Sequence, residues 1–307
     1  MKAVQISKFG GSDVLGIVNV SEPFLKDDQI LVEVNSASIN PFDLYVLSGT
    51  AGGKLPLVLG GDFSGIVTKV ADGVSDFKIG NEVYGQALVQ NGGSGSFAKY
   101  CTANVENSSF KPKNISFEEA AALPLVGSSA IQALEEHIKL RRGQKILIHG
   151  GAGGIGHIAI QIARALGAYV ATTVGTDDVE FAKELGVDEV IDYKTQKFDE
   201  TLKDFDAVLD TVGESTWEKS FQVLKKGGVF VSMLGQPDPK TAEGKGITSI
   251  GQGTDTNLAH LDRVRSYVEE EKVKVHIDKK FPLEQIRQVF DYFQNQSHKG
   301  KVVIKIK

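Results

Sequence analysis

The chain has 307 residues, enough for about two domains of roughly 150 residues each. Hydrophobic residues make up 41% and charged residues 24%, the mix of a globular protein with a sizeable core, and a net charge of -5 argues against nucleic acid as a partner. The single cysteine, Cys101, excludes an internal disulfide and an all-cysteine zinc cage, and no apolar run approaches the ~18 residues of a membrane span.

The first segment, MKAVQISKFGG, alternates as a strand does and lacks the apolar core of a signal peptide, so the expected location is the cytoplasm. Residues 1–122 read mostly as strands and turns: QILVEVNSASI alternates, LVLGGDFSGIVTKV is β-rich with glycine breaks, and GNEVYGQAL ends in a turn. After SFEEAAALPLVGSSAIQALEEHI the texture changes to alternating strands and helices. The basic stretch IKLRRGQK is short and reads as a solvated face. QKILIHG, AYVATTV, DEVIDY, DAVLDTVG and GVFVSMLG are the predicted strands, with DDVEFAKELG and ESTWEKSFQVLKKG as helices between them. That alternation predicts an α/β domain with a doubly wound parallel sheet. The tail predicts a helix and a last strand that return to the first domain. The expected division is 1–122 completed by 274–307, and 123–273.

HGGAGGIGH, residues 149–157, holds five glycines in nine positions. An apolar strand precedes it, and a helix with Ile155, Ala159, Ile162, Ala163 and Leu166 on one face follows it. In that setting Gly151, Gly153 and Gly156 form a G-x-G-x-x-G turn for a dinucleotide pyrophosphate. Gly151 permits the tight turn, Gly153 the approach of the phosphates and Gly156 the helix packing. Ala152, Gly154 and Ile155 complete the cradle at a helix N-terminus, whose N–H groups and dipole favour anions. No Gly-Lys-Ser/Thr follows, so the turn is not a P-loop. His149 and His157 read as packing residues. At the end of the second strand, where an acid often holds the ribose 2′-hydroxyl, ATTVGT offers Thr172, Thr173, Gly175 and Thr176. Small neutral residues there leave room for a 2′-phosphate and favour NADPH. Asp177 and Asp178 follow at once, with no arginine nearby. Thr176, Tyr193 and Lys194 are the donors expected to hold the phosphate.

The set ASINPFDLYVLSG, LGGDFSGIV, FAKYC, EEAAALPLVGSSAIQAL, IHGGAGGIG, DEVIDY, LDTVG and GKVVIKI resembles the medium-chain dehydrogenase/reductase superfamily, in its zinc-independent quinone oxidoreductase (zeta-crystallin-like) branch. The resemblance spans nearly the whole chain. It implies a GroES-like β-rich substrate domain, a Rossmann domain, an active-site cleft between them, and often a homodimer. Zinc-dependent members carry a cysteine and a histidine where this chain has Asn40 and Gly61, so no zinc is expected. The resemblance further implies that Asn40 and Tyr45 of NPFDLY line the nicotinamide and substrate pocket, with Asp43 in support. Ser129 replaces a threonine that contacts the nicotinamide side, and Ile131 replaces a common aromatic. Tyr193 matches a tyrosine that contacts the adenosine phosphate, while Val179 stands where some NADPH-binding relatives have a lysine. Cys101 reads as structural.

The expected function is an NADPH-dependent reductase of quinones or α,β-unsaturated carbonyls. Tyr45 would donate to the developing oxyanion, and solvent would supply the proton. The alternative is an NADPH-binding structural or regulatory protein with weak turnover, since a fold does not fix a function.

Overall fold

The computed structural model describes all 307 residues, which form two compact units. The first comprises Met1–Leu125, Thr256–Glu269 and Val275–Lys307. Its organising element is the strand Gln29–Ser38, whose side chains are buried on both faces except at Glu33 and Asn35. Asp62–Val70, Tyr100–Asn104 and Lys301–Lys305 all pair antiparallel with it. The seven-stranded sheet is extended by Glu82–Gln86 and Ser108–Phe110 on one side and by Ile277–Pro282 on the other. A three-stranded sheet of Ile17–Asn19, Lys2–Ile6 and Leu57–Val58 completes the unit's strands.

One apolar cluster gathers Ile30, Val32, Val34, Phe63, Val67, Val83 and Cys101. Burial raises the Cys101 thiol pKa far above its ordinary value, so the group is an inert part of the core. A second cluster joins Ile39, Val46, Leu47, Phe97, Phe290, Val302 and Ile304, and it pins the helix Pro41–Ser48. Each fully buried aliphatic or phenyl side chain contributes about 1.5–3 kcal/mol. The pairing register sets Ser38 opposite both Val303 and Asp62. It thereby brings the start of the Pro41–Ser48 helix, Asp62 and the last strand to one place.

The helix Leu258–Glu269 also belongs to this unit, whereas the sequence placed it within 123–273. Tyr84 donates its hydroxyl to Leu261 O at 2.6 Å, Ser109 donates to Asp262 Oδ1 at 2.6 Å and Asn114 to Val268 O at 2.9 Å. These partners lie 153 to 177 positions away, beyond the reach of local pattern.

The second unit holds Val126–Asp255 and Glu270–Lys274. Its six strands are all parallel, in the order Glu189–Asp192, Tyr169–Val174, Lys145–His149, Phe205–Asp210, Leu224–Ser232 and Thr248–Gly251. That is the doubly wound order, in which the strand sequence reverses beside Lys145–His149; in sheets of this order ligands generally bind outside the carboxyl ends at that point. Two local readings differ. Thr248–Gly251 is an additional edge strand whose only strongly apolar side chain is Ile250, too little for a periodic signal. The stretch Leu224–Gly227, read as the end of a helix, begins a strand instead: Leu224 pairs with Phe205, and the register slips before Ala207–Val229. The helix preceding it ends at Val223.

Candidate functional site

In the second unit the glycine turn leaves the strand Lys145–His149 through Gly150, whose φ of +73° is the left-handed conformation glycine tolerates best. The N–H groups of Gly150 and Gly151 both donate to Thr173 O, at 3.1 and 3.3 Å. The Gly153 N–H closes the turn on Gly150 O at 3.0 Å, and the helix Gly154–Ala165 begins immediately. The three fingerprint glycines differ in what requires them. A Cβ on Gly151 would overlap the Thr172 hydroxyl, and one on Gly156 would overlap the Gly150 carbonyl oxygen. A Cβ on Gly153 would meet only Gly150 O, at 3.4 Å, and the φ of -76° suits any residue. The chain's own packing therefore needs Gly151 and Gly156, whereas at Gly153 it would admit a side chain. Ala152 packs against Val174, Phe181 and Ala182 behind the turn. Gly154, Ile155 and Gly156 present first-turn N–H groups that an α-helix leaves without a carbonyl one turn back. An anionic diphosphate fits this cradle.

The two histidines flanking the turn have protein partners. The His149 ring is fully buried, bonded at Nδ1 to the Thr173 hydroxyl (2.9 Å) and at Nε2 to the Ser220 hydroxyl (3.0 Å). Burial lowers its pKa to about 4, although Asp210 opposes the shift, so the ring is neutral near pH 7. His157 Nδ1 lies 2.9 Å from Gly153 O.

At the far end of the same sheet edge, Val174 is in register with Asp192. The turn Thr176–Asp178 follows Gly175. The position of a Gly175 Cβ lies 3.4 Å from the Tyr193 hydroxyl and 3.6 Å from Lys194 Cε, so Gly175, Tyr193 and Lys194 lie side by side, with Thr176 next in the chain. The structure adds a carboxylate. Asp192 accepts the Thr176 hydroxyl at 2.8 Å and the Lys194 N–H at 3.0 Å, and the Thr176 bond holds its pKa below the ordinary value. The Thr176 hydroxyl is thus engaged by a neighbour that sequence reading missed, because Asp192 looked like one more strand residue of VIDY. Ser129 is buried, its hydroxyl 2.7 Å from Thr254 Oγ1, and its carbonyl accepts from Gln252 Nε2 at 3.1 Å. Gln252 and Thr254 were also missed; both follow the unrecognised edge strand.

In the first unit, Asn40 caps the helix Pro41–Ser48, with Pro41 at its first position. Asp43 reaches back one turn, and its Oδ2 accepts the Asn40 N–H at 2.8 Å. The Asn40 side chain turns inward. Its Nδ2 donates to Asp62 Oδ2 at 2.8 Å, and its Oδ1 accepts a hydrogen bond from the Lys301 ammonium. Asp62 also accepts from Gln86 Nε2 at 2.8 Å, from Leu125 N at 3.2 Å and from the Ser38 hydroxyl at 3.4 Å. Asn40, Asp43, Asp62 and Lys301 are each at most 3% exposed. Burial pushes the Asp43 carboxyl up to about 7, and Asp62 and Lys301 are likewise shifted toward their neutral forms by burial, each opposed by the charge of the other. Tyr45 lies two positions beyond Asp43, on the other side of the helix, and is 48% exposed. Asn40 and Asp43 therefore share one buried network, while Tyr45 stands apart from it with its ring open to solvent.

Residues 26–113 match the family described as alcohol dehydrogenase GroES-like domain, and residues 185–304 match that described as zinc-binding dehydrogenase. A 2-methylene-furan-3-one reductase of Solanum lycopersicum is 37% identical, over 99% of this chain and 79% of that protein. An NADPH-dependent alkenal/one oxidoreductase of Arabidopsis thaliana, chloroplastic, is 34% identical over 99% of this chain and 79% of its own length. The structure of Escherichia coli quinone oxidoreductase complexed with NADPH superimposes with a TM-score of 0.89 at 27% identity, covering 100% of both chains.

Where the resemblance places a metal-binding cysteine and histidine, this chain has Asn40 and Gly61, which offer zinc neither a thiolate nor an imidazole, and a Cβ on Gly61 would lie 2.8 Å from Leu88 Cδ2. No group of three or more His, Cys, Asp or Glu is placed to hold a metal ion, and the cation nearest Asn40 is the ammonium of Lys301. No helix is long and apolar enough to cross a membrane.

Proposed function

This chain belongs to the medium-chain dehydrogenase/reductase superfamily, in its quinone and alkenal/one oxidoreductase branch, and on that premise we propose that it is an NADPH-dependent reductase of quinones or α,β-unsaturated carbonyl compounds that works without zinc. The observation that carries the reading is Gly153, the one of the three fingerprint glycines whose missing side chain the chain's own packing does not require. The N–H groups of Gly154, Ile155 and Gly156 would hold the pyrophosphate, with Ala152 behind them. Gly175 would leave room for the adenosine ribose, and Tyr193 and Lys194 would bind its 2′-phosphate, with Thr176 helping through its place beside Asp192. Ser129 would face the nicotinamide side. When bound, the nicotinamide supplies the hydride.

The remaining work falls to the first unit. The Tyr45 hydroxyl is suited to donate to the acceptor oxygen as negative charge grows there. Asn40 keeps one Nδ2 hydrogen beyond the one given to Asp62, which would serve as a donor on the side of the helix away from Tyr45. Asp43 holds the Asn40 backbone and so supports that donor. No residue here is assigned as the proton donor to carbon; solvent serves for acceptors that are already electrophilic.

The test is NADPH oxidation against a panel of small quinones and enones. Turnover with either class supports the proposal; tight NADPH binding without turnover would favour a structural or regulatory cofactor-binding protein. Tyr45→Phe is expected to lower kcat about tenfold with little change in NADPH affinity, less than the ~10²–10³ of a fully used oxyanion donor because quinones stabilise their own charge. Unchanged kinetics with both classes would return Tyr45 to a packing role.

A further inference from the structure

Lys301 is unusual on physical grounds alone. A lysine only 3% exposed forfeits the hydration of its ammonium, and such groups survive when paired and hydrogen-bonded. Here the ammonium donates to Ile39 O at 3.1 Å and to Asn40 Oδ1, and it lies 3.9 Å from Asp62 Oδ2. None of these partners is near in sequence: Asn40 is 261 positions away and Asp62 is on another strand. The last strand of the chain delivers a cation to the place where metal-dependent relatives would have their ligand pair.

What this cation does follows from donor and acceptor inventories. An ammonium only donates and a carboxylate only accepts. Asn40 sits between the two, so its carboxamide has one allowed orientation: Oδ1 toward Lys301 and Nδ2 toward Asp62. The two ends of an asparagine carboxamide are alike in shape, and the hydrogen-bond partners decide which way it points; here reversal would set an N–H against the ammonium and a C=O against the carboxylate. The orientation is enforced most strongly while Asp62 is ionised; burial pushes Asp62 toward its neutral form, and the Lys301 ammonium, 3.9 Å from its Oδ2, opposes that shift. A neutral Asp62 could donate to Asn40 Oδ1 and let the carboxamide turn over.

We propose that Lys301 is a positioning residue for the reductase: acting through Asp62, it locks the Asn40 carboxamide so that the free Nδ2 hydrogen, and never the oxygen, is offered to the acceptor. The inference rests on the reductase reading above. The Lys301 ammonium is engaged by Ile39 O and Asn40 Oδ1, so it works through its neighbours.

The test compares the full-length wild-type protein with Lys301→Met and with the double variant Lys301→Met/Asp62→Asn. Melting temperature, NADPH dissociation constant, and kcat and KM for but-3-en-2-one and 1,4-benzoquinone are read for each. The single variant strands a buried carboxylate and should melt lowest; the double variant replaces an ion pair by neutral groups of similar shape and should recover most of the melting temperature. Lys301→Met unfolding outright leaves the double variant as the decisive arm. The expected result is a double variant that binds NADPH within about threefold of wild type and holds its KM, yet loses about tenfold or more in kcat for the enone, because an oxyanion donor acts mainly in the transition state. A double variant with wild-type melting and wild-type kcat would make the pair merely structural and overturn the inference alone. A wild-type protein that binds NADPH and reduces no acceptor would overturn the reductase reading and this inference with it.

Discussion

The three glycines of one turn show how unequal identical residues can be. Gly156→Ala pushes a methyl into the Gly150 carbonyl oxygen and is expected to destabilise the fold by about 1–3 kcal/mol, read from denaturant melts. Gly153→Val is expected to melt near wild type, since its Cβ has space, and to lose NADPH binding in calorimetry because the branched side chain fills the phosphate approach. Near-normal NADPH affinity in folded Gly153→Val would mean the phosphates lie elsewhere. Asp43 makes a second prediction at this scale. Desolvation raises its pKa to about 7, with Asp62 adding to the effect and the Asn40 N–H and Lys301 opposing it. Unfolded, the carboxyl titrates near the ordinary value of about 3.9. The folded state holds the proton more tightly, so this contribution is full below about pH 4 and is lost as pH rises through about 7. Asp43→Asn keeps an acceptor for the Asn40 N–H and should flatten that decline. Equal slopes in wild type and variant over this range would show that Asp43 is ionised throughout.

At the scale of elements, the parallel register of Tyr169–Val174 and Glu189–Asp192 assembles the end of the proposed cofactor site from two strand termini. It places attraction and repulsion side by side. Tyr193 and Lys194 stand next to Gly175, and the Asp192 carboxylate stands beside Thr176. A 2′-phosphate gains the first pair and meets the charge of the third. NADPH is therefore expected to be preferred over NADH by a modest about 1–3 kcal/mol in kcat/KM, the worth of a few charge-assisted hydrogen bonds. Lys194→Ala should shrink the margin and Asp192→Asn should widen it. Equal kcat/KM for the two cofactors in wild type would show that the carboxylates of this edge govern the choice.

Over the whole molecule, the buried polar cluster of the first unit collects Asn40 from a helix start, Asp62 and Gln86 from two strands and Lys301 from the last strand. Its cation is covalently part of the chain, so exhaustive chelation should leave both melting temperature and NADPH oxidation unchanged. Activity lost on chelation and restored by stoichiometric zinc would refute the metal-free reading.

The sequence by itself determined whatever is written in local pattern. The glycine turn was legible because strand, turn and helix are contiguous and each has its own periodicity. The alternation of strands and helices sufficed for the doubly wound sheet, and the helix and strand of the tail were legible too. Tertiary structure alone decided what depends on distant segments meeting. The edge strand Thr248–Gly251 carries too little apolar periodicity to announce itself, and it exists because Leu224–Ser232 offers a free edge. Leu258–Glu269 joins the first unit through bonds to Tyr84, Ser109 and Asn114 that no local pattern encodes. Asn40 and Asp43 were visible as a motif, but their environment was not. No local pattern singles out Lys301 at the start of the terminal strand, and only the pairing of that strand with Gln29–Ser38 carries its ammonium 261 residues back along the chain to Asn40. Periodicity reports which face of an element is buried; which charge waits on that face is settled only when the strands find their register.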